Sequence, residues 1–312
     1  MLISICVITY KRPEKLQRLL QTLNELTFQK IECPEIEVIV VDNDTAGVAA
    51  RVCSEMRSEF KWILKTSVES RRGITYARNK SVALASSKAD FIAITDDDEI
   101  ATRSWIENLL LAQKRHNSDI VTGPNLPHFI NKNVPKWVIK GKFFDPPRWE
   151  TGTRVSVAFT NNVLVKAEIF RSLNPVFDNR FALSGGEDAY LFLNLNKKGH
   201  KIVWADDAIM YDGIPASRTT IKWILLRGYR TWSSYSSFEK EMYPSLTKQS
   251  TRILKGLALI LIGISRLIPS LFLGKAAIVM SLLYIFRGMG TLGGILDLHY
   301  EEYKHLNPSP QP

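Results

Sequence analysis

The chain has 312 residues, with 41 Lys plus Arg against 31 Asp plus Glu, and a formal net charge of +10. With 45% hydrophobic and 23% charged residues it has an ordinary globular balance, which excludes a disordered tail, a collagen-like fibre and a coiled coil. Three cysteines, Cys6, Cys33 and Cys53, exclude a disulfide framework and a four-thiolate zinc site, and point to a reducing compartment.

The charge is uneven. Residues 1–214 carry 29 basic and 26 acidic side chains, and residues 215–312 carry 12 and 5, so the last third holds +7 of the +10. A polyanionic partner is expected there. The N-terminus opens directly on an apolar run, residues 2–8, with no basic region or small-residue cleavage site, so no signal peptide is expected.

In chain order, residues 2–8 read as a buried strand, 13–26 as a helix with Leu16, Leu19, Leu20 and Leu23 on one face, and 37–41 as a second strand. A helix over 48–60, a weak strand at 62–65, a helix over 73–86 and a strand at 91–95 follow. A helix over 104–115 and a short strand at 119–122 close this half. Alternating β and α at this spacing predicts a mostly parallel sheet covered on both faces by helices. From about 123 to 160, five prolines (124, 127, 135, 146, 147) and the aromatics Phe129, Trp137, Phe143, Phe144 and Trp149 predict a long loop or lid. Regular patterning resumes at 155–165, with a helix over 187–198 and a strand at 201–204. From about 219 the pattern is helical and increasingly apolar. Lys255, Arg266, Lys275 and Arg287 break residues 253–296 into charge-free runs of 10, 8 and 11. A spanning helix wants about 20 apolar residues, so the pattern favours amphipathic helices lying in a membrane interface. The two regions expected are therefore 1–215 and a helical, membrane-associating 216–312.

Ligands of open α/β sheets bind beyond the carboxyl ends of the strands. Three predicted strands end in polar residues: Thr9-Tyr-Lys-Arg12, Asp42-Asn-Asp44, and Asp96-Asp-Asp-Glu99. Four consecutive acids repel one another unless a cation sits among them, so a hard divalent ion, completed by substrate phosphates, is the natural occupant. Arg12 ends the first strand, and Arg78 lies one turn into a helix otherwise apolar at Ile74, Ala77, Val82 and Ala83; both suit a phosphate. In Ser184-Gly-Gly-Glu-Asp188 the paired glycines let backbone approach a ligand, and a carboxylate there can serve as a general base. Acids that merely favour a helix N-terminus are the alternative. No nucleotide-binding glycine loop and no His-Glu-x-x-His occur, and the histidines (116, 128, 200, 299, 305) are scattered, against a zinc enzyme. No nucleic-acid module is visible, so the charge is assigned to phospholipid or a phosphorylated substrate.

Five motifs occur in order: Thr9-Tyr-Lys-Arg-Pro-Glu-Lys-Leu16, Val41-Asp-Asn-Asp44, Gly73-Ile-Thr-Tyr-Ala-Arg-Asn79, Thr95-Asp-Asp-Asp-Glu99 and Gly185-Gly-Glu-Asp188. Together they resemble family 2 glycosyltransferases of the GT-A fold, most closely the bacterial exopolysaccharide glucosyltransferases of the succinoglycan type. Thr160-Asn-Asn162 and the distal Trp223, Arg227 and Arg230 share in that likeness, which covers about residues 3–232. The resemblance implies an inverting, metal-dependent transferase that moves a sugar, glucose, from a UDP-sugar to a saccharide carried on polyprenyl diphosphate. Its place would be the cytoplasmic face of the bacterial inner membrane. It further implies that Thr9, Arg12, Asp42 and Asp44 contact the nucleotide, with Arg78 facing the base or diphosphate. Asp96 and Asp97 would meet ribose or sugar, and Asp98, with Asp96, would hold Mn²⁺ or Mg²⁺. Asp188 would be the catalytic base with Glu187 beside it, and Asn161, Asn162, Gly185 and Gly186 would line the acceptor or sugar. Lys11 stands where Asn is more usual. The alternatives are a non-catalytic, membrane-associated sugar-nucleotide-binding or assembly protein that keeps the fold, and a nucleotidyltransferase that releases diphosphate.

Overall fold

The structure is a computed structural model that describes residues 1–131 and 133–298; His299, His305 and the end of the expected C-terminal region lie outside the described residues. Its elements in chain order are β1 (Leu2–Thr9), α1 (Pro13–Asn24), β2 (Glu35–Asp42), α2 (Val48–Met56), β3 (Ile63–Val68), α3 (Ile74–Ala83), β4 (Phe91–Asp96) and β5 (Glu99–Ala101). Next come α4 (Trp105–His116), β6 (Ile120–Thr122), β7 (Asn125–Phe129), α5 (Lys136–Gly141), β8 (Val163–Lys166), α6 (Ala167–Arg171), α7 (Glu187–Lys197), β9 (Ile202–Trp204) and β10 (Met210–Ile214). The chain finishes with α8 (Ile221–Met242), α9 (Leu246–Leu273) and α10 (Lys275–Ile295). Two units result among the described residues, one from Met1–Leu126 with Pro146–Gly213, the other from Pro127–Asp145 with residues 214–298.

The first unit holds a seven-stranded sheet in the order β3-β2-β1-β4-β8-β6-β9. β3, β2, β1 and β4 run parallel, whereas β8 pairs antiparallel with both β4 and β6. Side chains alternate along each strand, so Ile3, Ile5 and Val7 enter one core and Cys6 the other. On the first face Leu16, Leu19, Leu20 and Leu23 of α1, with Leu109 and Leu110 of α4, cover Val38, Val40 and Ala93. On the second, Ala77 of α3 and Leu191, Phe192 and Leu195 of α7 join Ile39, Ile94 and Val163. Both faces are buried, as the unbroken apolar strands predict. Pro13, with its fixed φ and no N–H to lose, opens α1.

The second unit differs from expectation in two places. The proline- and aromatic-rich stretch is no structureless lid. It carries the helix α5, and Trp137, Phe143 and Phe144 pack with Ile224, Leu225, Val279 and Leu283 of α8 and α10. Phe144 stacks on Trp223 with ring centroids 5.7 Å apart. These half-buried rings pack on one another and on α8 and α10. Trp149, in the first unit, packs edge-on against Trp204.

The apolar tail also runs further than its charges suggest. α9 and α10, at 28 and 21 residues, are each long and apolar enough to cross a membrane by length and composition. Lys255 and Arg266 lie within α9 as good helix formers, and their cations lie over aromatic rings, Trp232 at 5.0 Å and Tyr284 at 5.5 Å.

Candidate active site

Parallel register fixes the frame. Thr9 lies opposite Asp42, and Ile8 opposite Asp96, so β1, β2 and β4 deliver their polar ends to one edge of the sheet. Just beyond β1, Lys11 takes a left-handed backbone with φ +54°, its ammonium 5.2 Å from the Tyr10 ring.

Asp97 and Asp98 are drawn back against the start of the chain. Thr9 Oγ1 donates to Asp97 Oδ2 at 2.7 Å, and Arg12 reaches both Asp97 (3.3 Å) and Asp98 (3.5 Å). Lys15 Nζ lies 3.3 Å from Asp98 Oδ2, and Arg18 donates to the Asp98 carbonyl. Burial, and then the neighbouring Asp98, push the Asp97 carboxyl up to about 6 against the pull of Arg12 and Thr9. Burial also raises Asp96, although Arg78 pulls it back; Asp98 and Asp188 raise it further. Glu99 sits opposite Asp212 across the antiparallel β5–β10 pair, and burial together with that carboxylate holds it well above the usual range.

Arg78 departs from the expected role. Its side chain is 4% exposed and is spent within the protein, with Nη2 on Asp96 Oδ1 at 2.8 Å and Nη1 on Glu187 Oε1. Arg78 is therefore a clamp between the end of β4 and the first residue of α7, and offers no open face to a base or diphosphate. Glu187 is buried in the same pair and is no base. Arg12 and Lys15 are more open, with side chains 40% and 30% exposed.

Asp188 stands next to this clamp and is half-exposed. Its Oδ1 accepts from the Ala189 N–H at 2.7 Å, and its Oδ2 faces the Thr160 N–H and hydroxyl at 3.4 Å. Gly185 and Gly186 precede it with φ +75° and +87°, a left-handed pair that a side chain would strain. The glycines turn the chain into α7 and so aim Asp188.

Two expected ligand contacts serve the fold instead. Asp42 is buried and accepts from the Ala49 and Asp44 N–H groups at 2.9 and 3.0 Å, tying the β2–α2 loop that holds Asp44. Asn162 is fully buried away from any acceptor. Its Oδ1 accepts from Trp105 Nε1 at 2.8 Å, and its Nδ2 donates to the Pro124 and Ala208 carbonyls. Asn161 beside it is half-buried. Sequence reasoning passes over Asn43, whose amide donates to the Glu69 and Arg71 carbonyls and accepts from the Gly73 N–H, pinning the loop before α3. Its signal is an Asn between two Asp at a strand end, where an amide can bind backbone on both sides.

The residues fit a divalent ion on one condition. Among the described residues, no group of three or more His, Cys, Asp or Glu could hold a metal by itself. Asp96 and Asp98 offer two hard carboxylates, the number such an ion takes when substrate phosphates complete its shell. Burial and the adjacent Asp98 raise the Asp97 carboxyl, and a cation bound with a diphosphate would ease that crowding of carboxylates.

The family model for "Glycosyl transferase family 2" matches residues 4–173. The chain belongs to that family. It is 29% identical over 235 residues to the succinoglycan biosynthesis protein ExoM of Rhizobium meliloti (strain 1021), covering 75% of this chain and 74% of that protein. Among solved structures it superposes with TM-score 0.64 and 16% identity on the mannosyltransferase PcManGT from Pyrobaculum calidifontis, in complex with GDP-Man and Mn²⁺. That match covers 95% of this chain and 87% of the other. S. aureus TarS 1–349 in complex with UDP-GlcNAc gives 0.52 and 15% identity, over 99% and 98% of the two chains. At such identities the likeness establishes the fold, a mostly parallel GT-A sheet flanked by helices.

Proposed function

We propose that this family 2 glycosyltransferase moves a sugar, glucose, from a UDP-sugar to a lipid-linked saccharide with inversion, in the assembly of a bacterial exopolysaccharide or surface polysaccharide. In this reading residues 1–215 catalyse and 216–312 associate with the cytoplasmic face of the inner membrane. The carrying observation is the clamp: Arg78 joins Asp96, at the end of β4, to Glu187, immediately before the half-exposed Asp188. A carboxylate suited to proton removal thereby stands beside the strand end expected to meet the donor. ExoM, from a polysaccharide biosynthesis system, and TarS, bound to UDP-GlcNAc, support the substrate classes.

Asp188 accepts the proton of the acceptor hydroxyl as that oxygen attacks the anomeric carbon, and the bond to the diphosphate breaks on the opposite face. One displacement inverts the centre. Arg12 and Lys15, the cations open to the site, stabilise the charge that grows on the diphosphate. Arg78 holds Asp96 and the start of α7 in place, and Gly185 and Gly186 set the approach of the base. Asp96 and Asp98 would hold Mn²⁺ or Mg²⁺, which when bound neutralises the leaving diphosphate. Replacing Asp188 with Asn is expected to lower turnover by roughly 10²–10⁴-fold, the range for a lost general base, with UDP affinity by calorimetry unchanged. Loss of UDP binding would move Asp188 to the donor site. Absence of turnover in the parent protein, tested with Mn²⁺ and a panel of UDP- and GDP-sugars, would favour the binding protein.

A further inference from the structure

α9 touches the rest of its unit along one narrow stripe. Gly256, Gly263 and Ser270 are its buried positions, one every seven residues. They meet α10 antiparallel: a Cβ on Gly288 would lie 2.5 Å from the Gly256 carbonyl, and one on Gly263 would lie 2.7 Å from that of Ser281. Opposite this stripe Leu254, Leu257, Leu261, Ile264, Ile268 and Leu271 follow at steps of three and four and are 45 to 71% exposed. From Gly256 to Leu273 the only charge is Arg266, which lies at the edge of the packed stripe, over Tyr284 of α10. This is an apolar outer face, one that water does not favour and hydrocarbon does.

α10 is flanked on its other side by α8, which runs parallel to it. Ser236 Oγ donates to the Thr291 carbonyl at 2.7 Å, and Lys240 Nζ to that of Ile295 at 2.8 Å; nearer the start, Gly228 meets Leu283. α8 carries Lys222, Arg227, Arg230, Glu239, Lys240 and Glu241 from end to end. If the α9–α10 hairpin crossed a bilayer, α8 would be carried through the hydrocarbon alongside it, and each of those charges would be costly there. The basic residues also sit at both ends of the hairpin, with Lys248, Arg252 and Lys255 at one and Lys275, Lys136 and Lys140 at the other. A hairpin lying flat brings both basic ends to anionic headgroups at once.

We propose that α9 is an in-plane membrane anchor: its outer face is immersed in an anionic phospholipid leaflet along its length, while α8 stays in water and neither α9 nor α10 spans. This rests on the membrane association proposed above, and two readouts separate the two ideas. The full-length protein, with exposed Cys33 changed to Ser, would be added outside sealed phosphatidylglycerol–phosphatidylethanolamine vesicles. Flotation with the vesicles tests the association; failure to float, or a discrete dimer that forms in place of binding, would overturn it and the anchor with it. Single cysteines at Ser250, Lys275 and Leu261 are then treated with a membrane-impermeant maleimide. An in-plane anchor leaves Ser250→Cys and Lys275→Cys equally reactive before and after vesicle permeabilisation, and slows Leu261→Cys roughly tenfold on binding. A Lys275→Cys that reacts only after permeabilisation means a spanning hairpin and overturns the in-plane reading alone. A floating protein whose Leu261→Cys keeps its full reactivity does the same.

Discussion

On α1 of the sheet unit, Leu16, Leu19, Leu20 and Leu23 are all fully buried; on α9 of the helical unit, Leu254, Leu261 and Ile268 are 66, 66 and 71% exposed. Both helices repeat aliphatic residues at steps of three and four, and only one of them covers that face with protein. In the sheet unit, apolar side chains fill two cores and leave the strand ends for charge, where Arg12, Lys15 and Arg78 answer Asp96, Asp97 and Asp98. In the helical unit, small residues draw α8, α9 and α10 together by backbone contact, and the larger aliphatic ones on α9 turn outward. Small residues at the seam of α9 and α10 and large ones on the outer face of α9 accord with the membrane association proposed above. Periodicity alone says that a face is apolar and does not say what covers it.

That contrast can be broken unit by unit. Glu187→Ala, which takes one of two carboxylates from the buried Arg78 and leaves it Asp96, should cost about 3 kcal/mol, the loss of a buried hydrogen bond between charged groups. Calorimetry should show a thermal midpoint lower by on the order of 10 °C, with vesicle flotation unaffected. Gly288→Leu attacks the other unit. A side chain at a seam this close must push α9 from α10, at a cost of about 1–3 kcal/mol. New tryptic cleavage at Lys255 or Arg266, with UDP affinity preserved, would show that only the helical unit has loosened. The smallest effect concerns pH. Asp97 is raised in the folded protein, so the fold binds the proton more tightly than the unfolded chain does. Its contribution to stability is full below pH 4 and is lost as pH rises through about 6. Ligand-free protein should therefore lose a few degrees of midpoint between pH 4 and 7 from this group, and Asp97→Asn should flatten that slope.

Much of the frame is legible in the residues themselves. β1, β2 and β4 are mostly apolar runs that end in polar clusters, and α1 opens on Pro13, so local pattern and tertiary burial agree. Where they part, the cause is a partner distant in the chain. Arg78 looks like an anion ligand until Glu187 is folded against it. Asn162 belongs to a polar triplet that suggests a site, and only Trp105 and the Ala208 carbonyl make it a core residue. Cations at intervals cut 253–296 into short charge-free runs, because a hydropathy run counts charges and cannot see the rings of Trp232, Tyr284 and Trp137 beside them.

Lys11, where the resemblance leads one to expect Asn, is one of four non-glycine residues with a left-handed backbone among the described residues. Asn visits that conformation readily, while a long side chain costs about 1–2 kcal/mol there. The chain thus keeps a wound spring at the sheet edge where β1 ends, two residues past Thr9. Lys11→Asn is a place to let that tension out and gain a sturdier enzyme without touching a core residue.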